Sequence, residues 1–230
     1  MLLLGLSLFG INYWFVYMAE MALTSGVVAV IFSLIIFFNI FFNAVLLKGK
    51  IKKDVILAAI MGVTGTTLLF KNELNSFSLN SDDILILLFC LGGLISASLG
   101  NILSAYKQKQ NIPVLQSNAF AMVYGGVSMF LAVLILGKPV SFDFSVSYSL
   151  SLVYLAIFGS IISFSVYLKL LGEIGPDRSV YIALVSPAIA MIISTIFEDY
   201  HWNVFAFIGI AFLFAGNFMV LRFKTQKSVQ

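Results

Sequence analysis

Residues 84–105 read ILILLFCLGGLISASLGNILSA, a stretch that carries no charged side chain. A bilayer core is crossed by about 20 apolar residues in a helix. Within the stretch, glycine, serine and alanine recur every four positions, which gives a helix one face of small residues. Such faces let helix backbones approach closely in lipid. The stretch therefore predicts a transmembrane helix that packs tightly against other helices.

The composition of the whole chain agrees with this prediction. Of the 230 residues, 61% are hydrophobic and 10% are charged, and the mean hydropathy is +1.06. Soluble domains are roughly 45–50% apolar and about 25% charged. A water-soluble fold of this size has too much surface to hide the excess apolar area. The single cysteine, Cys90, excludes an internal disulfide and reads as a small packed residue.

Eight apolar stretches reach or approach the length of a membrane span. None alternates with period two, and bare backbone polar groups are not tolerated in hydrocarbon, so the spans are helices. The sequence predicts an all-α membrane protein with about eight transmembrane helices. The predicted spans are residues 2–21, 25–47, 55–70, 84–105, 115–136, 148–171, 179–197 and 203–222.

The basic residues fall almost entirely on one side of this topology. Of the 13 lysines and arginines, 11 lie on one side and two on the other. Short loops rich in basic residues stay in the cytoplasm. We therefore expect a multi-pass protein of the plasma (inner) membrane with both termini cytoplasmic. The 11 are Lys48, Lys50, Lys52, Lys53, Lys107, Lys109, Lys169, Arg178, Arg222, Lys224 and Lys227, and the two are Lys71 and Lys138.

The pattern of residues 13–33 has an echo in residues 166–186. The charge distribution predicts that the two copies cross the membrane in opposite directions. Inverted repeats of this kind are typical of secondary transporters. The matched positions are Glu20 with Glu173, Ser33 with Ser186 and, near the end of the third helix of each set, Gly65 with Gly216.

An ordered set of short motifs also runs along the whole chain. It comprises Asn12-Tyr-Trp, Tyr17, Ala19-Glu20, Ser25-Gly-Val-Val-Ala29, Phe32-Ser33, Ser96-Ala-Ser-Leu-Gly-Asn101, Asn118, Tyr124-Gly125, Gly137-Lys-Pro139, Gly159-Ser160, Leu171-Gly172, Gly175, Asp177-Arg178, Ser186-Pro187, Phe197-Glu198, Gly209 and Gly216-Asn217. This set resembles the EamA-type branch of the drug/metabolite transporter superfamily.

The resemblance implies ten helices in two inverted five-helix repeats around a substrate cavity. This chain matches the last eight, so we expect it to lack the first two helices of that fold. The implied organisation is a first, truncated repeat of three helices (1–72), a connecting loop (73–83), a second repeat of five helices (84–222) and a cytoplasmic tail (223–230). The sequence departs from the family at Leu34, where a proline, present as Pro187 in the second copy, is frequent.

The candidate site residues are polar or aromatic residues within the spans, together with three charged residues near helix ends. Polar groups in lipid are costly unless they face protein or a wet cavity. The cavity candidates are Asn12, Trp14, Tyr17, Ser33, Ser96, Asn101, Asn118, Tyr124, Tyr167, Ser186 and Pro187. The gate or structural candidates are Glu20, Glu173 and Arg178. Asn39, Asn43 and Asn217 are further polar residues within spans.

Each assignment has a plainer alternative. The small face with Ser96 and Asn101 is explained by packing alone or by a cavity border. Trp14 and Tyr17, three apart on one helix face, either fence a solute or anchor the membrane interface. Ser186-Pro187 is either a kink or a hinge that lines a site.

The predicted function is secondary transport of a small metabolite, either amino-acid-like or another small polar or amphipathic solute, by alternating access, with export one option. The expected partners are the lipid bilayer, the small-molecule solute and either a second copy or a completing subunit, and no nucleic acid. No catalytic residue, cofactor or metal site is predicted, since the only histidine, His201, lies in a connector, and enzyme activity is not expected. The rival is a truncated or partner-dependent membrane protein without independent transport.

Overall fold

The computed structural model describes residues 1–21, 23, 25–51, 53–71, 74, 81–140, 142–179 and 203–222, and all the regular structure in these ranges is helical. We number the helices in chain order: α1 (Leu2–Glu20), α2 (Ser25–Ser33), α3 (Ile35–Leu47), α4 (Lys53–Leu69), α5 (Ser81–Lys109), α6 (Val114–Ile135), α7 (Val146–Ile174), α8 (Pro176–Ser179) and α9 (Val204–Arg222).

Several of these helices are long and apolar enough to cross a bilayer. By length and composition, the segments that qualify among the described residues are Leu2–Glu20, Val30–Leu47, Ile84–Lys109, Val114–Ile135 and Val146–Ile174. Seven of the eight predicted spans coincide with described helices, and span 179–197 lies almost wholly outside the described residues. The chain is therefore a multi-pass helical membrane protein.

The helix ends gather at two opposite ends of the bundle. At the first end, Leu4 of α1, Ala105 of α5 and Leu171 of α7 pack together, with Leu47 of α3 and Val114 of α6 beside them. At the other end, the far end of α1, the start of α2 and the first turns of α5 meet around buried Cys90. This packing is the up-and-down alternation that short connectors impose.

The predicted span 25–47 is interrupted at Leu34, which separates α2 from α3. The Leu34 N–H donates to the Ile31 carbonyl, and the Phe37 N–H donates to the Leu34 carbonyl, both at 3.0 Å, which are tight three-residue turns. The Ser33 hydroxyl donates to the Val30 carbonyl at 2.6 Å. The interruption falls where the repeat aligns Leu34 with Pro187, so the helix of the first copy is interrupted at this position without a proline.

Helices α4 and α9 cross antiparallel through small residues. A Cβ placed on Gly65 would lie 2.7 Å from the Gly209 carbonyl oxygen, and one placed on Gly216 would lie 2.9 Å from the Ala58 carbonyl oxygen. If Gly65 is equivalent to Gly216, then Ala58 is equivalent to Gly209, and each contact is the mirror of the other. This reciprocity is what a two-fold relation between the third helix of each copy predicts.

Candidate functional site

Three aromatic rings of α1 line one wall of a cleft between α1, α6 and α7. Phe9, Tyr13 and Tyr17 are four residues apart and therefore share a helix face. The Phe9 and Tyr13 ring centroids are 6.4 Å apart with planes inclined by 20°, and those of Tyr13 and Tyr17 are 6.0 Å apart. Phe164 of α7 meets Phe9 edge-on at 4.8 Å. We call this set of three α1 rings the aromatic ladder.

The other walls of the cleft come from the second half of the chain. Helix α6 contributes Met122, Gly126 and Met129, and α7 contributes Ala156, Ser160 and Ile161. The volume is about 510 Å³, within the range of roughly 300–1,000 Å³ that holds small molecules. None of the described lining residues is charged, and Tyr13 and Ser160 contribute hydroxyl-bearing side chains to the lining.

Both helices that flank the cleft contain π-helical turns, at Leu6–Ile11 in α1 and Leu155–Ile162 in α7. The first contributes Phe9 to the cleft, and the second contributes Ala156, Ser160 and Ile161. The repeat alignment carries residues 6–11 onto 159–164, which overlaps the second π segment. π-Helical turns are rare and occur frequently at functional sites, so their repeat-related positions beside one cleft mark it as the candidate site.

Trp14 lies in a second groove, between α1 and α6, and not in the cleft. It is 42% exposed, its ring centroid lies 6.4 Å from that of Phe89, and it faces Ser128, Ala132 and Lys138 across a volume of about 470 Å³. Trp14 and Tyr17, three residues apart on α1, thus line different spaces. Tyr124, 41% exposed, lines neither of these two spaces.

The small face of α5 packs against protein. Gly100 lies against Leu8, and Gly92 lies against the Phe15 ring, so α1 occupies the space that side chains on these glycines would need. The buried Ser96 hydroxyl donates to the Ser7 carbonyl in the π segment of α1 at 2.9 Å. Ser96 thus joins the two halves of the chain at the back of the candidate site.

A buried polar cluster ties three helices together at the α7–α8 turn. Asn39 of α3 is 0% exposed, and its amide donates to the Pro176 carbonyl at 3.0 Å. Its oxygen accepts from Ser98 at 2.5 Å and from the Asn101 amide at 3.5 Å. The side chain of Tyr167 approaches those of Asn101 and Ser179. Asn101 and Tyr167, both sequence candidates, belong to this cluster and do not line the cleft.

Two further asparagines keep a buried oxygen that has no hydrogen-bond partner within the described residues. Asn118, 2% exposed, donates to the Ser165 hydroxyl at 3.2 Å, and Asn12 donates to the Leu8 carbonyl at 3.4 Å. The side-chain oxygen is unpartnered in both. Both residues lie in helix contacts behind the cleft walls. Asn118 lies where α6 meets α7, and Asn12 lies where α1 meets α5.

The charged candidates occupy helix ends. Glu20 and Glu173 are exposed, at the last turns of α1 and α7, which lie at opposite ends of the bundle. Arg178 falls within α8, but its side chain is not among those described. Ser33 is buried at the α2–α3 break, and Ser186 and Pro187 lie outside the described residues.

The sequence alone did not single out Met122, Gly126, Met129 or Ser98. The four-residue spacing of Phe9, Tyr13 and Tyr17 is a readable signal for the ladder. No comparable signal exists for the methionines, because apolar residues in a membrane helix fit any face.

The all-helical, multi-pass architecture, with a cleft between helices from both halves, defines a polytopic membrane protein. The model of the EamA-like transporter family matches residues 84–222, and the chain belongs to that family. It is 29% identical over 195 residues, 84% of this chain, to the uncharacterized inner membrane transporter YedA of Escherichia coli K12. An uncharacterized transporter of Clostridium kluyveri is 23% identical over 203 residues, 86% of this chain.

These relatives are longer than the chain, which spans 61% of the Escherichia coli protein and 63% of the Clostridium one. A solved crystal structure superposes with a TM-score of 0.72 at 15% identity and covers 91% of this chain and 73% of its own. That likeness supports the fold alone.

Proposed function

We propose that the chain is a secondary transporter, or the larger part of one, for a small solute with little charge. The cleft carries this proposal. It has the volume of a small-molecule site, its walls come from α1 of the first repeat and α6 and α7 of the second, and both flanking helices change their winding beside it. Alternating access by inverted repeats needs a site between the two repeats.

We also propose the inner membrane as its location, with both termini cytoplasmic. The name of the Escherichia coli relative and the bias of basic residues support this assignment.

We propose that transport is driven by the concentration gradient of the solute itself, or by exchange of one solute for another. The described lining of the cleft has no carboxylate, and Glu20 and Glu173 lie at helix ends. A buried acid that takes up and releases protons is the usual device of proton coupling in membrane transporters.

Counterflow in proteoliposomes tests the proposal directly. Proteoliposomes that contain the purified full chain are each loaded with one unlabelled metabolite from a panel. Accumulation of a trace of labelled solute inside them is then followed without any ion gradient. We expect accumulation of at least one neutral or zwitterionic solute and none in protein-free vesicles. Uptake that appears only with an imposed proton gradient would refute solute-driven transport, and no uptake of any tested solute would leave the rival below.

The rival, a partner-dependent protein, has one observation in its favour. Residues 146–162 of α7 bury no side chain, whereas α1 is covered by α5 and α6. If the two repeats are related by inversion, the counterparts of α5 and α6 would cover α7. We propose that a helix pair of this kind, from another segment or chain, occupies the part of this surface that lies outside the cleft in the active transporter.

Cysteine crosslinking separates the arrangements. Val153, exposed on α7, is changed to cysteine in a Cys90→Ala background, and an Ile135→Cys variant on the exposed end of α6 serves as control. A crosslinked homodimer through position 153 alone would identify a second copy as the cover. Labelling of position 153 by a lipid-soluble maleimide, without crosslinks, in a protein active in counterflow would overturn the need for a cover.

A further inference from the structure

We propose that the cleft selects small planar aromatic solutes and that the missing side chain at Gly126 leaves room for the solute ring. The inference rests on the proposed transport function and adds the chemical class of the solute. It draws on three independent features of the cleft: the aromatic ladder, the backbone without a side chain at Gly126, and the distribution of polar groups.

Tyr13 and Tyr17 present most of the ladder's surface, and Phe9, 9% exposed, lies at its buried end. Its rings follow one another at 6.4 and 6.0 Å along α1, so ring faces and edges line the wall for about two helical turns. Aromatic groups prefer offset or edge-to-face contact with other rings, at centroid separations of roughly 4.5–7 Å. A flat aromatic solute satisfies this preference, and a branched aliphatic one of the same volume does not.

Gly126 leaves part of the α6 lining without a side chain. A Cβ placed there would meet nothing within 4 Å, so the position borders open space and is not a packing contact. Met122 and Met129 lie about one turn to either side and also line the cleft. Thioethers contact ring edges favourably. The two methionines on either side of Gly126 therefore form a slot for an aromatic ring, with flexible thioether side chains at its edges.

Polar groups are few and uncharged. Tyr13 and Ser160 both line the cleft, and their hydroxyl groups can hydrogen-bond to a ring N–H or O–H group. No carboxylate or cation among the described lining residues would balance a charge on the solute. The slot therefore fits a neutral heteroaromatic ring, for which indole is a suitable probe.

Binding of tritiated indole to the purified full chain in lipid nanodiscs tests the proposal, with tetraethylammonium as a non-planar cationic competitor. We expect Gly126→Leu to weaken indole binding by about tenfold or more, because leucine fills the slot without clashing with protein. Gly126→Ala should give an intermediate loss. The matched control is Val127→Leu, on the same helix at an exposed position outside the lining.

Equal indole affinity in Gly126→Leu and in the wild-type protein would overturn the proposal, as would displacement of indole by tetraethylammonium, since the rings would then serve a cation. The test is separable from that of transport. If the protein binds indole, loses this binding in Gly126→Leu and shows no counterflow, the transport function would be refuted and the aromatic site would stand. If another solute shows counterflow and Gly126→Leu does not change it, the proposed aromatic site would be refuted and the transport function would stand.

Discussion

At the scale of single residues, the glycines of this chain serve opposite purposes. Gly100 lets α1 lie directly against α5, and the Leu8 side chain occupies the space where its own would begin. Gly126 faces open space. Sequence patterns do not separate the two cases, because both are glycines within apolar helices. The separation depends on which neighbour faces each position, and that is set by the register between helices distant in the chain.

Gly100→Leu is expected to reduce the yield of folded protein strongly. The added side chain must displace Leu8, which is 2% exposed and packed in the core, and overpacking of this kind costs roughly 1–3 kcal/mol. Fluorescence-detected size-exclusion chromatography of the solubilised membranes measures the monodisperse fraction. Gly159→Leu is the control and should keep the wild-type yield. A normal peak for Gly100→Leu would mean that α1 and α5 do not touch at this position.

Asn39→Ala is expected to lower the melting temperature of the purified protein. The change leaves the Ser98 hydroxyl and the Pro176 carbonyl without their buried partner, at a cost of about 1–3 kcal/mol each. Asn43→Ala, one turn further along α3 and half-buried, is the matched control. A melting temperature equal to that of the control would mean that the cluster contributes nothing to stability.

Asn101→Ala is expected to affect stability less than Asn39→Ala. The contact of the Asn101 amide with Asn39 is long, at 3.5 Å, and Asn39 keeps its bonds to Ser98 and Pro176 when it is lost. Its neighbour Tyr167 lies on α7, one of the three helices that line the cleft. Counterflow of Asn101→Ala should therefore fall while folded yield is kept. Full transport would remove Asn101 from the candidate residues.

At the scale of helices, the existence and order of the described membrane helices were predicted well, because each span is a long apolar run between polar flanks. Two features escaped it. The interruption at Leu34 was not visible, because leucine has no intrinsic tendency to end a helix. The π segments of α1 and α7 were not visible either, since an extra residue per turn leaves the hydrophobicity unchanged. The cleft depends on both helices and on α6, so its lining was predicted only in part.

Valine at Gly65 or Gly209 should be equally damaging. Each Cβ would meet a backbone carbonyl oxygen at 2.7 Å, and backbone in a helix cannot move aside as a side chain can. We expect both variants to lose most folded protein in the same chromatographic assay. Gly126→Val, on an open wall, is the control. Loss in only one of the pair would contradict the close approach of α4 and α9 at this contact.

At the scale of the whole molecule, the fold gathers the basic residues that were counted along the chain. Lys48 and Lys50 follow α3, Lys107 and Lys109 end α5, and Lys169 lies near the end of α7. These helix ends meet around the same core cluster as the start of α1. The opposite end has Lys71, whose ammonium lies 3.3 Å from the centre of the Phe205 ring, a contact that stabilises the cation locally.

This arrangement predicts the orientation in the membrane. Fusions of a fluorescent reporter that matures only in the cytoplasm, placed after Asn111 and after Arg178, should both be bright. Fusions after Lys71 and after Lys138 should be dark with that reporter and active with alkaline phosphatase. The reason is the cost of moving the basic end across the bilayer: each juxtamembrane lysine or arginine is held on the cytoplasmic side, and 11 of the 13 act together. Phosphatase activity after Asn111 or Arg178 would reverse the topology, and opposite signals at these two sites would break the alternation of helices that the two ends of the bundle require.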